Sequence, residues 1–188
     1  MITKSPQDIS LGADVYDTVS HAITVIDEAH KMIHEGFMYK AWHKFTAVAD
    51  AASVYLHLKN PADTYPHLHD FAVVAGGGDV DVEVFETPTT SADGTELVER
   101  SLNRNGTVDA AGLQPFHTPT VSADGTQLRS SWIPPTASGT GNTDSGAIEN
   151  AEYEMVLKPS TNYLIKITNN SGGAIDIHTR MYWYETNF

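Results

Sequence analysis

The sequence predicts an all-β fold, a jelly-roll-like antiparallel β-sandwich of about ten strands with an extended N-terminal arm. Three observations carry that prediction. Asp79-Val80-Asp81-Val82-Glu83-Val84 alternates strictly, with three valines for one face and three carboxylates for the other. That is the pattern of a half-buried strand. Short β-branched and aromatic runs follow one another with Gly, Pro and Asn between them. One phrase also occurs twice: Phe85–Leu97 returns as Phe116–Leu128, 31 residues on, with ten of thirteen positions identical. The differences are Glu86/His117, Thr90/Val121 and Glu96/Gln127.

Residues 1–17 read as an arm, since Pro6, Gly12 and polar neighbours give no period. Between 13 and 35, Val15, Val19, Ile23, Ile26, Ala29, Met32 and Ile33 fall near helical spacing. The run Thr18–Asp27 is nevertheless rich in β-branched residues, so helix has only a slight edge over strand. From Gly36 the signal is β. Phe37–Val48, Ser53–Lys59 and Leu68–Ala75 are strand-like, the last ended by Gly76-Gly77-Gly78.

Each copy of the repeated phrase reads as a protruding β-hairpin, near 85–97 and 116–128. Ala-Asp-Gly forms the tip, because Asp hydrogen-bonds locally and Gly takes positive φ. Residues 134–148, rich in Pro, Gly, Ser and Thr, read as a long loop. Three closing strands follow, Glu152–Leu157, Tyr163–Thr168 and Ala174–Tyr184, the last two expected as a hairpin through Asn169-Asn170-Ser171-Gly172-Gly173.

With 188 residues and 40% hydrophobic content, residues 18–188 suffice for a single domain. The formal charge of −13, from 24 acidic and 11 basic residues, argues against nucleic acid and anionic membrane as partners. The absence of cysteine excludes disulfides, a thiol nucleophile and a thiolate zinc site. No apolar signal core opens the chain, and no apolar run approaches the roughly 20 residues of a membrane span. Synthesis in the cytoplasm is expected.

Several clusters are candidates for chemistry. His30 and His34 would share a helix face and, with Asp27 or Glu35, could ligate a metal; the alternative is a polar surface. His67 and His69 share a strand face, either as a metal pair or as a solvated strand entry after Tyr65-Pro66. Asp79, Asp81 and Glu83 could contribute to a calcium site, or be solvated or paired across strands with Lys or Arg. No nucleophile elbow and no phosphate-cradling glycine loop is present. His67-Leu68-His69-Asp70 offers only the His-x-His core of a cupin-type metal site. No catalytic residue, cofactor or metal is assigned, and an enzyme is not expected. Trp42, Trp132, Trp183 and eight tyrosines suit packing, subunit contact or a sugar-binding face. Asp93, Gly94, Asp124, Gly125 and Trp132 are the interface candidates.

An ordered set of phrases resembles a family of tailed-bacteriophage virion proteins of decoration type. They are His21–Asp27 with His30 and Ile33-His34-Glu35-Gly36, then Pro66-His67-Leu68, then Ser-Ala-Asp-Gly-Thr with Asn103-Arg104-Asn105. The closing phrase is Leu157–Leu164, Ile167–Ala174 and Trp183-Tyr184-Glu185. The resemblance covers most of the chain from about residue 18. It implies a capsid decoration or cement protein on a jelly-roll-like sandwich, located on the capsid exterior. It carries no catalytic motif, and it tilts residues 18–35 toward strand.

The expected function is therefore a structural virion protein, homotrimeric, that binds the major capsid protein and bridges neighbouring capsomers. The alternative is a carbohydrate-binding β-sandwich module on the virion. The two repeated hairpins are expected to project on one side, with at least one touching another subunit.

Overall fold

The computed structural model describes residues 28–105, 111–135, 143–148 and 154–186. Helix α1 (Glu28–Glu35) precedes β1 (Met38–Val48), β2 (Ser53–Lys59), β3 (Tyr65–Ala75) and β4 (Val80–Glu86). Five short strands follow: β5 (Thr89–Ala92), β6 (Thr95–Glu96), β7 (Arg100–Ser101), β8 (Gln114–His117) and β9 (Thr120–Ala123). The chain closes with β10 (Thr126–Ile133), β11 (Thr143–Ile148), β12 (Met155–Val156), β13 (Asn162–Asn169) and β14 (Ile175–Thr186).

The two ends of the chain pair as one long folded ribbon. Strand β1 pairs with β14, β2 with β13, β3 with β11, and β4 with β10, all antiparallel. Rolling this ribbon sets β14 beside β3 and β13 beside β4. Two sheets result, which we call the first (β11-β3-β14-β1-β7, with β12 on β3) and the second (β10-β4-β13-β2-β8-β6). This is jelly-roll connectivity on an all-β sandwich. Fourteen strands are described rather than about ten, because short pieces extend the sheet edges and form a separate ribbon.

The core lies between the sheets. Val80, Val82 and Val84 are buried, as the alternation requires, in one cluster with Ile165, Ile167, Leu56 and Leu58 of the same sheet and Phe71 and Trp183 of the other. Burying each such side chain contributes about 1.5–3 kcal/mol. Trp183 stacks on Tyr39 at 5.8 Å. Glu185 closes one end of the core, accepting hydrogen bonds from Gly112 N, Leu113 N and Trp183 Nε1 at 2.7, 2.9 and 3.0 Å.

Helix α1 packs on the outer face of the first sheet through Met32, against Met38 and Tyr184. It ends at Gly36, whose φ of +90° allows Phe37 N to reach the Met32 carbonyl and Gly36 N the Ile33 carbonyl. Both bonds satisfy helix-terminal carbonyls. Residues 28–35 are thus helical, as their spacing suggests, and not strand, toward which the resemblance tilted them. Residues 18–27 and the arm 1–17 lie outside the described residues.

Four local expectations are corrected. The turn Asn169–Gly173 does not close a hairpin: β13 pairs within the second sheet and β14 within the first, so the chain crosses between the sheets there to complete the roll. Within the expected loop 134–148, residues 143–148 form β11 on the edge of β3, because β3 would otherwise leave backbone groups unpaired. Tyr65-Pro66 is the start of β3 rather than a turn before it, a position where the missing proline N–H is tolerated.

The fourth correction concerns the repeated phrase, whose copies are not separate hairpins; each pairs with the other. Strand β5 of the first copy pairs with β9 of the second. Strand β6 of the first pairs with β8 at the start of the second, Thr95 opposite His117. Reciprocally, β10 at the end of the second pairs with β4 at the start of the first, Thr126 opposite Glu86. The physical cause lies around the prolines. Thr87 and Thr118, immediately before Pro88 and Pro119, have φ of +56° and +55°. Each arm therefore turns out of the second sheet after Glu86 or His117 and cannot run on as a straight hairpin limb.

These exchanges obey a local pseudo-twofold axis through the second sheet. Across its strands one row reads Glu96, Phe116, His57, Leu164, Phe85, Gln127. The row is a near-palindrome, with the axis between His57 and Leu164. A shift of 107 residues carries Lys59 onto Lys166, and the two lysines serve the same purpose. Lys59 Nζ binds Asp93 at 2.7 Å and Lys166 Nζ binds Asp124 at 2.9 Å. The exchanged turns are thereby tied down on the outer face of the second sheet.

Candidate functional site

That tied-down cover explains the burial beneath it. Leu164 and His57 are fully buried on the sheet face opposite the core, with Phe85 beside them. Asp93 Oδ1 lies 3.5 Å from His57 Nδ1. The contact is within reach of a charge but is not an aligned hydrogen bond, and among the described residues neither ring nitrogen of His57 has a well-aligned hydrogen-bond partner. Burial lowers the His57 pKa; Asp93 opposes the shift and Lys59 adds to it.

Asp93 and Asp124 are therefore engaged within the chain. Gly94 and Gly125 have φ of +98° and +96° and press against the backbone of the opposite copy. Of the five interface candidates, Trp132 offers the most surface. It stands 60% exposed on the edge strand β10, and its Nε1 donates to Asp79 Oδ1 at 2.8 Å.

The Glu86/His117 difference has a clear structural expression. At the equivalent positions, Glu86 meets Lys158 Nζ at 2.8 Å and Tyr163 Oη at 3.3 Å. His117 instead stacks on His43, with ring centroids 3.7 Å apart, and packs near Phe45. The Lys158 hydrogen bond is the main cause that holds the Glu86 carboxyl below its ordinary range. Burial lowers the pKa of His117 and of His43, and the neighbouring His117 and His178 lower that of His43 further.

The metal candidates are dispersed. His30 and His34 face each other on exposed helix positions, Nε2 to Nε2 at 3.0 Å. His67 and His69 are not a solvated strand entry, as their side chains are 13% and 23% exposed. Sequence reasoning missed their partner, Glu154, which lies 87 residues from His67. His67 Nδ1 is 2.9 Å from its Oε1, and Tyr184 Oη donates to both carboxylate oxygens at 2.7 Å. Burial pushes the Glu154 pKa up, but the bonds from His67 and Tyr184 outweigh it and the net shift is downward.

Asp79, Asp81 and Glu83 go separate ways, to Trp132, to Asn170 Nδ2 at 2.8 Å and to Gln127 Nε2 at 2.9 Å. Lys166 stands directly across from Glu83. Among the described residues no three His, Asp or Glu side chains converge as a metal site. Nor does any described helix have the length and apolarity to cross a membrane.

The first sheet presents a different surface. Lys40, Trp42, His178, Arg180 and Tyr182 line a shallow groove on its outer face. Trp42 is 49% exposed, and Lys40 Nζ lies 5.8 Å from its ring centre.

Fold and surfaces together define a jelly-roll β-sandwich whose conspicuous polar groups mostly hold the fold in place. Comparison with protein-family models, with curated proteins and with solved structures yields no match to this chain.

Proposed function

We propose that this chain is a structural virion protein, a decoration or cement protein on the outer surface of a phage head. It binds the major capsid protein, assembles as a homotrimer and bridges neighbouring capsomers. Binding only the expanded shell stabilises that shell by mass action.

One observation supports this reading above others. Those of the resembling phrases that lie among the described residues fall on architectural parts of the roll: the end of α1, the start of β3, the exchanged cover, and strands β13 and β14 with the turn that crosses between the sheets. Asn169 secures that turn, with its Nδ2 donating to the Val48 and Gly173 carbonyls at 2.9 and 2.7 Å. Subunit contact is assigned to edge strand β10, where Leu128 and Trp132 are 45% and 60% exposed. An open edge with exposed apolar side chains is a natural pairing surface.

The test is to mix purified protein with expanded, undecorated heads and follow co-sedimentation and thermal opening of the shell. The expected result is saturable binding by a trimer and a raised opening temperature, with Trp132→Ala weakening the trimer. A monomer that stays in the supernatant removes the reading.

A further inference from the structure

We propose that the outer face of the first sheet is a binding site for an acidic saccharide, a pyranose ring carrying a carboxylate. The inference rests on that face alone and not on capsid attachment.

Its first support is the placement of charge. The chain has 11 basic residues against 24 acidic ones, so an unpaired cation is unexpected. Five lysines do find carboxylates: Lys31 with Glu35, Lys44 with Asp176, Lys59 with Asp93, Lys158 with Glu86 and Lys166 with Asp124. Among the described residues Lys40, Arg100, Arg104, Arg129 and Arg180 have no carboxylate within ion-pair distance, and three of these five, Lys40, Arg100 and Arg180, share one face. Lys40 is directly opposite Arg100 on one side and Tyr182 on the other, and Arg180 is directly opposite Trp42. Directly opposed residues of an antiparallel pair share a face. This face also carries three acids: Asp176, held by Lys44, Asp70, across from Tyr182 on β3, and Glu154, bonded to His67 and Tyr184.

The second support is the shape and chemistry of the groove. It encloses about 270 Å³, below the roughly 300–1,000 Å³ of drug-sized pockets and suited to one sugar ring. A pyranose has an apolar C–H face and polar edges. Trp42 offers a half-exposed indole for the face, and Tyr182 a phenol with a hydrogen-bonding tip. Arg180 supplies a planar fork for a carboxylate, and Lys40 a second positive charge. An acidic peptide would need only the cations and has no ring to set against Trp42. The aromatic platform therefore favours the saccharide.

The experiment titrates the full chain with oligogalacturonate, with neutral galacto-oligosaccharide and with poly-glutamate, following indole fluorescence and amide shifts. Oligogalacturonate is expected to shift β1 and β14 resonances and to bind less tightly as salt rises. Trp42→Ala and Arg180→Ala are each expected to weaken it by about tenfold. Both altered side chains are exposed, and retained thermal unfolding checks that the fold survives. Three results overturn the proposal: no oligogalacturonate binding at millimolar concentration, equal binding of poly-glutamate, or equal binding of the neutral sugar.

Discussion

Gly94 lies so close to the carbonyl oxygen of His117 that a Cβ at its position would stand 2.2 Å away, and Gly125 bears the same relation, at 2.3 Å, to the carbonyl of Glu86. Both glycines also have φ near +100°. Any side chain there meets backbone, which cannot yield as a flexible side chain can. Gly94→Ala and Gly125→Ala are each expected to destabilise by about 2 kcal/mol or more. Urea unfolding measures this, and a midpoint within error of the parent protein for both would refute the interlocked arrangement.

His57 occupies the place that the pseudo-twofold axis assigns to Leu164, and among the described residues its ring nitrogens lack well-aligned hydrogen-bond partners. A buried polar group without a partner costs about 1–3 kcal/mol. His57→Leu is therefore expected to stabilise the protein by about 1 kcal/mol, a direction opposite to most core substitutions. A lowered melting temperature would show that the imidazole contributes something its contacts do not reveal.

His43, His57 and His117 all have pKa values below the ordinary 6.5, with burial the largest cause for each. The unfolded chain therefore binds protons that the folded chain resists. Stability is fully present above about pH 6.5 and is lost as pH falls through and below that value. The charged neighbours named for these rings are His178 beside His43, and Asp93 and Lys59 beside His57. Glu86 and Glu154 have lowered pKa values, so their stability is lost only as pH falls below the ordinary 4.5. Urea midpoints at about pH 7 and about pH 5 isolate the histidines. The midpoint is expected to fall, and to fall less in His57→Leu. A flat profile across this window contradicts the assignment.

Glu185 holds three donors, two of them on the buried residues Leu113 and Trp183. Glu185→Ala strands them and is expected to cost roughly 2–4 kcal/mol. Glu185→Gln keeps an acceptor and is expected to lose less. Equal losses in the two variants, read from chemical denaturation, would show that acceptor geometry is not what matters there.

Much of this was legible in the residues themselves. Strict alternation placed Val80, Val82 and Val84 inside, and Gly36 and the Asn169–Gly173 turn end their elements as local chemistry demands. The Ala-Asp-Gly turns were legible as turns, since Asp and positive-φ Gly act within a few residues. The partners of those turns were not. A strand's hydrogen-bonding edge does not specify its mate, and only the bend at Thr87 and Thr118, with Lys59 and Lys166 waiting on β2 and β13, decided that the copies exchange. Glu154 beside His67, and the cations gathered around Trp42, depend likewise on strands distant in sequence. Composition and local pattern thus determined an acidic, cysteine-free, all-β chain with a duplicated turn. Tertiary pairing decided which carboxylates became ties and which cations found no carboxylate among the described residues, because ion pairs and hydrogen bonds act over a few ångströms and the rolled ribbon alone brings those residues that close.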